Sequence, residues 1–510
     1  MKIGTQQDFH RIDKEWLEQN KEETKTLVLR AGRMFSSVIR ETIGWNLEDR
    51  ILIICGPGNN GADGLSLALD LKEKNFKNIT ICLSRKIESL STFHREFIKL
   101  LEGFRIIEDA DSVPYGNYRG IVDALLGTGT VGPARGNEAL LIQSINSVNS
   151  EVVSLDIPSG LEADSNFIIN PSVKADWTIT VGLPKICISY APSRLQGGRI
   201  IVRDIGFGKL LEKVSHKREL YCEEDAKEDL PKRIPEWHKN CYGHCVIWAG
   251  SQGKYGTSIM TSSAALKSGA GLVTVASLKE ISLLLAGKIP EVMSFNLELE
   301  TDVKDFLNFL KDKSVLALGP GIGITKDKAK ILKTIIQKYE GIIIFDADAL
   351  TLLSYDLSLL ALVANRSVIT PHGGEMSRLL KSEFDYKEED YLKVSEFARR
   401  YGVIVVCKGY NTIVFDPLSD REFVIGSGNP SLAKGGSGDI LTGILASVVA
   451  QKKEFSTRTN SDFSLLRAVL FGVWLHGASA DETVKFINKR SVTAMDIVEN
   501  ISSVFNRLER

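Results

Sequence analysis

The sequence predicts a parallel α/β protein built as two domains. Apolar runs of strand length alternate with helical patterns along the whole chain, the pattern of parallel sheets covered by helices. Loops bearing Gly or Asp follow those runs in both halves, and 510 residues exceed what one core usually holds. In the first half the runs are Ile51–Cys55, Gly120–Leu126, Glu151–Leu155, Val173–Val181 and Arg199–Ile205. From Lys209 to Lys239 the chain is rich in Lys, Glu, Asp and Pro and reads as a linker or docking segment. The domains are therefore expected over 1–212 and 213–510. The second series runs Cys245–Ala249, Leu272–Ala276, Val315–Leu318, Gly341–Phe345, Ser367–Thr370 and Val403–Cys407. Amphipathic helices Thr257–Ser268 and Lys326–Tyr339 lie between them, and a glycine turn at Lys434–Gly438 leads into the apolar helix Ile440–Ala450. No internal repeat or low-complexity tract interrupts the pattern.

Lys plus Arg total 63 against 64 for Asp plus Glu, a net charge of -1 that gives no broad attraction for nucleic acid or an anionic membrane. No apolar run reaches the ~18 residues of a membrane helix, and the start lacks the apolar core of a secretory signal. Seven scattered cysteines form no disulfide framework and fit a reducing cytoplasm. His238, Cys241, His244 and Cys245 have a spacing that zinc could use, but Cys245 opens an apolar run and is expected in a core.

Three loops of the first half carry chemistry. The strand ending at Cys55 runs into GPGNNGADG (56–64), a strand-to-helix turn whose backbone N–H groups can meet a phosphate. Taken alone, such a turn is equally a tight bend. The second loop, from Asp123 to Pro133, adds more glycines, and the third is Asp156-Ile-Pro-Ser-Gly160. Parallel strands deliver Asn60, Asp63, Asp123, Asp156 and Ser159 to one carboxyl edge, where ligands of open α/β sheets bind.

In the second half KGGSGDILTG (434–443) places glycines before Asp439 at a helix start. Backbone N–H groups of Gly436–Gly438 can form an anion hole for a transferred phosphoryl group, and Asp439 can take a hydroxyl proton. A glycine turn with Asp as helix cap is the plainer account. Lys408–Thr412, Gly319–Gly323, Asp346-Ala-Asp348 and Pro371–Glu375 each follow another strand.

The strings GPGNNGADG, DALLGTG, LDIPSGL, Val173–Thr178 and Gly182–Lys185 resemble the NAD(P)H-hydrate epimerase family over most of residues 1–210. The resemblance implies a Rossmann-like three-layer domain. It implies that Asn59, Asn60, Gly61, Ala62 and Asp63, with Gly127, Thr128, Gly129, Thr130, Val131, Gly132 and Pro133, line the dinucleotide site. It also implies that Asn60, Asp123 and Ser159 hold K+, and that Asp156 contacts the hydrated nicotinamide as acid/base. Ala62 stands where a second glycine is usual, and Leu29 where a glutamate is usual.

From about Trp237 onward the motifs, with His238-Lys239, Tyr242-Gly243, Ala249–Ser251 and Ser268–Val273, resemble the ADP- or ATP-dependent NAD(P)H-hydrate dehydratase family. That resemblance implies a ribokinase-like fold. Thr257, Gly323 and His372 are then expected at the hydrate, Lys408, Gly409, Tyr410, Asn411, Thr412 and Gly438 at the nucleotide, and Asp439 at the reacting hydroxyl as base. Gly373 and Ser437 depart from the family's usual proline and threonine. The combined resemblance implies a bifunctional enzyme that epimerises hydrated NADH or NADPH and dehydrates the S form. It would use ADP or ATP with Mg2+ and work as a homo-oligomer. Two other readings stay open: a true small-molecule kinase for the second half, and a non-catalytic nucleotide-sensing module for the first.

Overall fold

The computed structural model describes residues 1–108, 113–215, 217–459 and 464–510. The chain divides into two compact units, Met1–His216 and Lys217–Arg510.

Unit 1 holds seven parallel strands: β1 (Ile51–Cys55), β2 (Ile79–Leu83), β3 (Arg105–Ile107), β4 (Gly120–Ala124), β5 (Glu151–Leu155), β6 (Trp177–Val181) and β7 (Arg199–Arg203). Their order is β3-β2-β1-β4-β5-β6-β7. The order reverses between β1 and β4, so the loops leaving those two strands diverge and open a crevice at the carboxyl edge. Every residue of β1, β2 and β4 is buried, as expected of strands covered on both faces. The helix Thr24–Val38 packs with Asn59–Glu73 on one face around Phe35, Ile53 and Leu65. Leu141, Ile142 and Ile145 cover the other. Leu29 packs at the margin of the first layer.

Unit 2 holds ten strands: β8 (Arg218–Tyr221), β9 (His244–Trp248), β10 (Leu272–Ser277), β11 (Met293–Asn296), β12 (Val315–Leu318), β13 (Ile342–Phe345), β14 (Ser367–Ile369), β15 (Ile404–Cys407), β16 (Ile413–Phe415) and β17 (Glu422–Ile425). The order is β11-β10-β9-β12-β13-β14-β15-β16-β17-β8. The strands are parallel through β15. β16 then forms antiparallel pairs with β15 and β17. One large core joins this sheet to the helices Tyr255–Lys267, Leu465–Thr483 and Ala494–Leu508 and to Ile440–Ala450 of Ser437–Thr459. Cys245 lies in that core, and the His244 ring meets Thr274 Oγ1 at 2.8 Å.

Of the two readings of the Lys209–Lys239 segment, linker or docking segment, its second part fits docking. β8 pairs parallel with β17, and a helix, Glu223–Asp229, follows it. Tyr221 is buried and its hydroxyl donates to Asp229 at 2.7 Å. A strand at the end of a sheet buries one face and needs no long apolar run, so charge hides it. His216 lies outside the described residues. The Val173–Val181 run forms a strand only from Trp177.

A fragment starting at Lys217 is expected to melt cooperatively, and one starting at Lys239 to melt at least about 5 °C lower. Loss of a buried aromatic costs ~3 kcal/mol or more, and in a domain of this size each kcal/mol moves the midpoint by about 2–4 °C. Equal midpoints by circular dichroism would show that β8 is dispensable.

Candidate active sites

In unit 1 the central feature is Asp123, fully buried near the end of β4. Its Oδ1 accepts from Ser159 Oγ at 2.5 Å and Leu125 N at 3.3 Å, and its Oδ2 from Ser154 Oγ at 2.7 Å and Ser159 N at 2.9 Å. Burial pushes its carboxyl up, against the pull of those bonds. Ser159 Oγ also accepts from Leu126 N at 2.7 Å, and Asn60 Nδ2 donates to Leu126 O at 2.9 Å. Asn60, Asp123 and Ser159 thus meet through one network across the β1, β4 and β5 loops. Asn60 Oδ1 is buried without a hydrogen-bond partner. Gly56 lets the first two loops touch: a Cβ there would lie 1.7 Å from Leu125 O. Behind the turn, His94 Nε2 meets Gly58 O at 3.1 Å.

Asn59 is exposed, Gly61 and Ala62 are buried, and Asp63 is half-buried. In the loop after β4, Thr130 N donates to Gly127 O at 3.1 Å and Gly132 N to Glu162 Oε1 at 2.5 Å. Thr128 is half-buried, while Gly129, Val131 and Pro133 are exposed.

Asp156 sits just past β5 with φ +64°, a left-handed backbone that an aspartate adopts at a cost. Its Oδ1 accepts from Thr180 Oγ1 at 3.0 Å, from Val181 N at 3.3 Å and from Lys185 Nζ. All three donors converge on one oxygen, and none of them binds Oδ2. Lys185 is only 1% exposed, and its ammonium lies 4.0 Å from the centre of the Phe9 ring. Burial and the charge of Asp156 raise the Asp13 carboxyl to about 6, opposed by Lys185 and His10. Burial, then Asp156 and Asp13, push Asp63 well above the usual carboxylate range. Sequence reasoning did not single out Asp13 or Lys185. The only signal was Lys185 within the Gly182–Lys185 string.

In unit 2 the corresponding centre is Asp346, at the end of β13. Its Oδ1 accepts from Lys408 Nζ at 2.8 Å and Thr370 Oγ1 at 2.7 Å, and its Oδ2 from Thr442 Oγ1 at 2.8 Å. Lys408 also lies 4.0 Å from Glu375. Burial disfavours its charge, but Asp346, Glu375 and Asp439 together hold its ammonium above the usual range. Burial, then Asp346, raise the Asp439 carboxyl to about 6; Asp348 adds to this, while Lys408 and Lys254 oppose it. A Cβ on Gly438 would lie 3.5 Å from Lys408 Nζ and 3.7 Å from Asp346 Oδ2, so the glycine turn approaches this pair closely. Gly319 allows the neighbouring loop to close: a Cβ there would meet Asp346 O at 1.8 Å.

Gly323 N donates to Asp348 Oδ2 at 2.9 Å, where Lys254 Nζ also binds at 3.0 Å. Thr257 Oγ1 donates to Lys254 O at 2.8 Å and Pro320 O at 3.3 Å. His372 caps the helix Gly373–Leu380: its Nδ1 accepts from Gly374 N at 3.0 Å, and Glu375 Oε2 accepts from His372 N at 2.9 Å. Lys408 points inward at Asp346 rather than outward with its loop. Tyr410 is 74% exposed, Gly409 is exposed, and Asn411 and Thr412 are half-buried. Sequence reasoning gave no site role to Lys254, to Thr370 or to Thr442, although Thr442 lies within the KGGSGDILTG motif.

Fold and sites together define a two-site α/β enzyme, with one site on a Rossmann-like sheet and the other on a ribokinase-like domain. Residues 245–503 match the NAD(P)H-hydrate dehydratase family, and residues 24–187 match the family described as YjeF-related protein N-terminus. A bifunctional NAD(P)H-hydrate repair enzyme from Moorella thermoacetica is 34% identical, over 94% of this chain and 91% of its own length. One from Escherichia coli is 31% identical, over 94% of this chain and 89% of its own. A solved ribokinase-like superfamily protein from Enterococcus faecalis covers 58% of this chain and 97% of its own, at 24% identity and a TM-score of 0.50, which supports the fold of unit 2. The chain belongs to the bifunctional NAD(P)H-hydrate repair enzyme family. No described helix is long and apolar enough to cross a membrane.

The folded-state value of about 6 for Asp439 lies above the ordinary 3.8. Its contribution to stability is therefore full below about 3.8 and lost as pH rises through about 6. Asp439→Asn is expected to melt higher than the native chain at pH 8, with the gain fading below pH ~5. A gain that is constant with pH would contradict the buried, repelled carboxylate.

Proposed function

We propose that this chain repairs hydrated NADH and NADPH, with unit 1 interconverting the R and S epimers and unit 2 dehydrating the S form at the expense of ADP or ATP. The observation that carries the reading is family membership along nearly the whole chain, with a carboxylate held ready at each carboxyl edge. The substrate of both units is a dinucleotide, which suits the glycine-bearing turns at strand ends. In unit 1, Asn59–Asp63 and Gly127–Pro133 bind it.

In unit 2, Thr257, Gly323 and His372 face the hydrate, and Gly409–Thr412 with Gly438 face the nucleotide, while Lys408 is held inward on Asp346. Asp439 takes the proton of the hydroxyl on carbon 6 as that oxygen attacks the terminal phosphorus. The backbone N–H groups of Gly436–Gly438 stabilise the charge on the transferred phosphoryl. Phosphate then leaves carbon 6 with the bonding pair, the adjacent carbon loses a proton and the ring double bond is restored. Hydroxide leaves poorly at neutral pH and phosphate leaves well, which is why a kinase-like site can dehydrate. The hydroxyl carbon has two epimers and one chiral pocket processes one of them well. In unit 1, Asp156 acts as acid/base through its free Oδ2.

K+ fits Asn60, Asp123 and Ser159: Asn60 Oδ1 is an orphaned buried acceptor, and the donors to Asp123 are all neutral. The ion would supply the missing countercharge and tie three loops together. Mg2+ fits Asp348, whose partners among the described residues, Lys254 and Gly323, both bind Oδ2, and would neutralise the nucleotide phosphates.

Asp156→Asn is expected to abolish epimerisation and spare dehydration of the S form, and Asp439→Asn to do the reverse. Loss of a placed base costs ~100- to 10,000-fold in rate. Restored absorbance of NADH from pure S hydrate reads dehydration, and chromatography of the two epimers reads epimerisation. Full activity of either folded variant would remove that residue from its role. Exchanging K+ for tetramethylammonium is expected to slow epimerisation more than dehydration, and an unchanged rate would sink the ion assignment.

A further inference from the structure

Residues 1–23 lie outside the part of unit 1 that matches its family, which starts at residue 24. The helix Gln6–Asn20 nevertheless packs on the loop that carries Lys185. Ile12 and Trp16 are buried against Leu183, Phe207 and Leu210. Gly4 N donates to Pro184 O at 3.0 Å, and Gly4 bridges in parallel to Lys185. Phe9 covers the Lys185 ammonium, and Asp13 follows Phe9 by four residues, one helical turn along the same packed face. A carboxylate in such a seam, where the helix otherwise presents Ile12, Trp16 and Leu17, is out of place for packing alone. Among the described residues no hydrogen bond ties the Asp13 side chain down.

We propose that Asp13 is the second carboxyl of the epimerase site, working opposite the Lys185-held Asp156 as the partner that carries the proton. The inference rests on the epimerase reading of unit 1. The charges that act on Asp13 are those of Asp156, Lys185 and His10, and Asp13 acts in turn on Asp63. Three carboxyls sharing one buried ammonium repel one another when ionised, which favours a proton on one of them. In the step proposed, the Asp13 carboxyl gives its proton to the hydroxyl on carbon 6. The carbon–oxygen bond breaks with its pair going to oxygen, water leaves, and the ring nitrogen's lone pair forms the carbon–nitrogen double bond. Water then adds to the other face and its proton passes to Asp156. Each passage moves one proton from one carboxyl to the other, and the reverse passage or solvent resets it. No oxidant or reductant enters.

The test follows epimer exchange of NADH hydrate by chromatography, with no phosphoryl donor present, so that unit 2 is silent. In the native chain kcat/KM is expected to fall about tenfold per pH unit above pH ~6–7, as the proton on Asp13 is lost. Asp13→Asn is expected to lower kcat at least ~100-fold at pH 6, to leave KM within about threefold, and to erase that alkaline limb. Asp13→Glu is expected to restore part of the rate and to shift the limb. If the native chain does not exchange the epimers at all, the epimerase reading itself fails. If it does, and Asp13→Asn keeps both rate and limb, the proposal is overturned. It is likewise overturned if Asp63→Asn erases the limb while Asp13→Asn retains it. Should Asp13→Asn lose its near-ultraviolet circular dichroism, Asp13→Glu decides: a folded Glu variant with the native rate and an unmoved limb overturns the proposal, and a moved limb supports it.

Discussion

A buried aspartate at the end of a central parallel strand governs each unit. A carboxylate withdrawn from water costs several kcal/mol unless donors surround it, and removing one partner of a buried pair is still more destabilising. Asp123 and Asp346 are therefore obliged to recruit donors, and most of the donors come from other strands, loops and helices. Asp123 draws in Ser154 and Ser159 and, through Leu126, positions Asn60. Asp346 draws in Thr370 from the end of β14, Lys408 from the end of β15 and Thr442 from the helix that begins with the glycine turn. Loops that would otherwise be independent are thereby fixed relative to one another, which is what a site assembled from several strand ends requires.

Close approach and strain accompany that recruitment. Gly56 and Gly319 each occupy a point where a side chain would collide with a neighbouring loop's carbonyl. Asp156 at φ +64° and Ala347 at φ +48° are non-glycine residues in left-handed backbone directly after β5 and β13. Such conformations persist where the surroundings over-determine them. For Asp156 the surroundings are Thr180, Val181 and Lys185, all aimed at Oδ1. The strained turn and the three donors together fix which carboxylate oxygen faces outward.

Much of this was legible in the chain. Fully buried strands such as Ile51–Cys55 and Val315–Leu318 announce themselves as short apolar runs ending in glycine loops, and the loop aspartates follow directly. Six of the described strands escaped: β3, β8 and β11, which lie at sheet edges and carry exposed or charged residues, and β2, β16 and β17, which are buried but were not read from the chain. Asp13 and Lys185 escaped for another reason. Lys185 lies 29 positions from Asp156, and Asp13 reaches the same place only because Ile12 and Trp16 pack on the Gly182–Lys185 turn. Packing at that range leaves no local periodicity. Ser437 illustrates the converse: the sequence placed it in the glycine motif, yet its hydroxyl meets the buried His476 ring at 3.3 Å, inside the core.

The charge balance of the two edges bears on how they accept anionic dinucleotides. Unit 1 gathers Asp13, Asp63 and Asp156 around the single ammonium of Lys185; unit 2 gathers Asp346, Asp348, Glu375 and Asp439 around Lys254 and Lys408. Each edge carries more carboxyls than cations, the wrong sign for phosphate on simple electrostatics. Two devices can reconcile this. One is to favour the protonated form of carboxyls, the direction in which Asp13, Asp63 and Asp439 are all shifted. The other is to bring in a hard cation, for which Asn60 Oδ1 and Asp348 offer oxygen. On the proposed function, backbone N–H groups at the glycine turns would provide the attraction for phosphate without adding a charge that would quench the bases. On this account an anionic site is the condition for having a base at all, and the proton and the cation are what make the substrate's charge tolerable beside it.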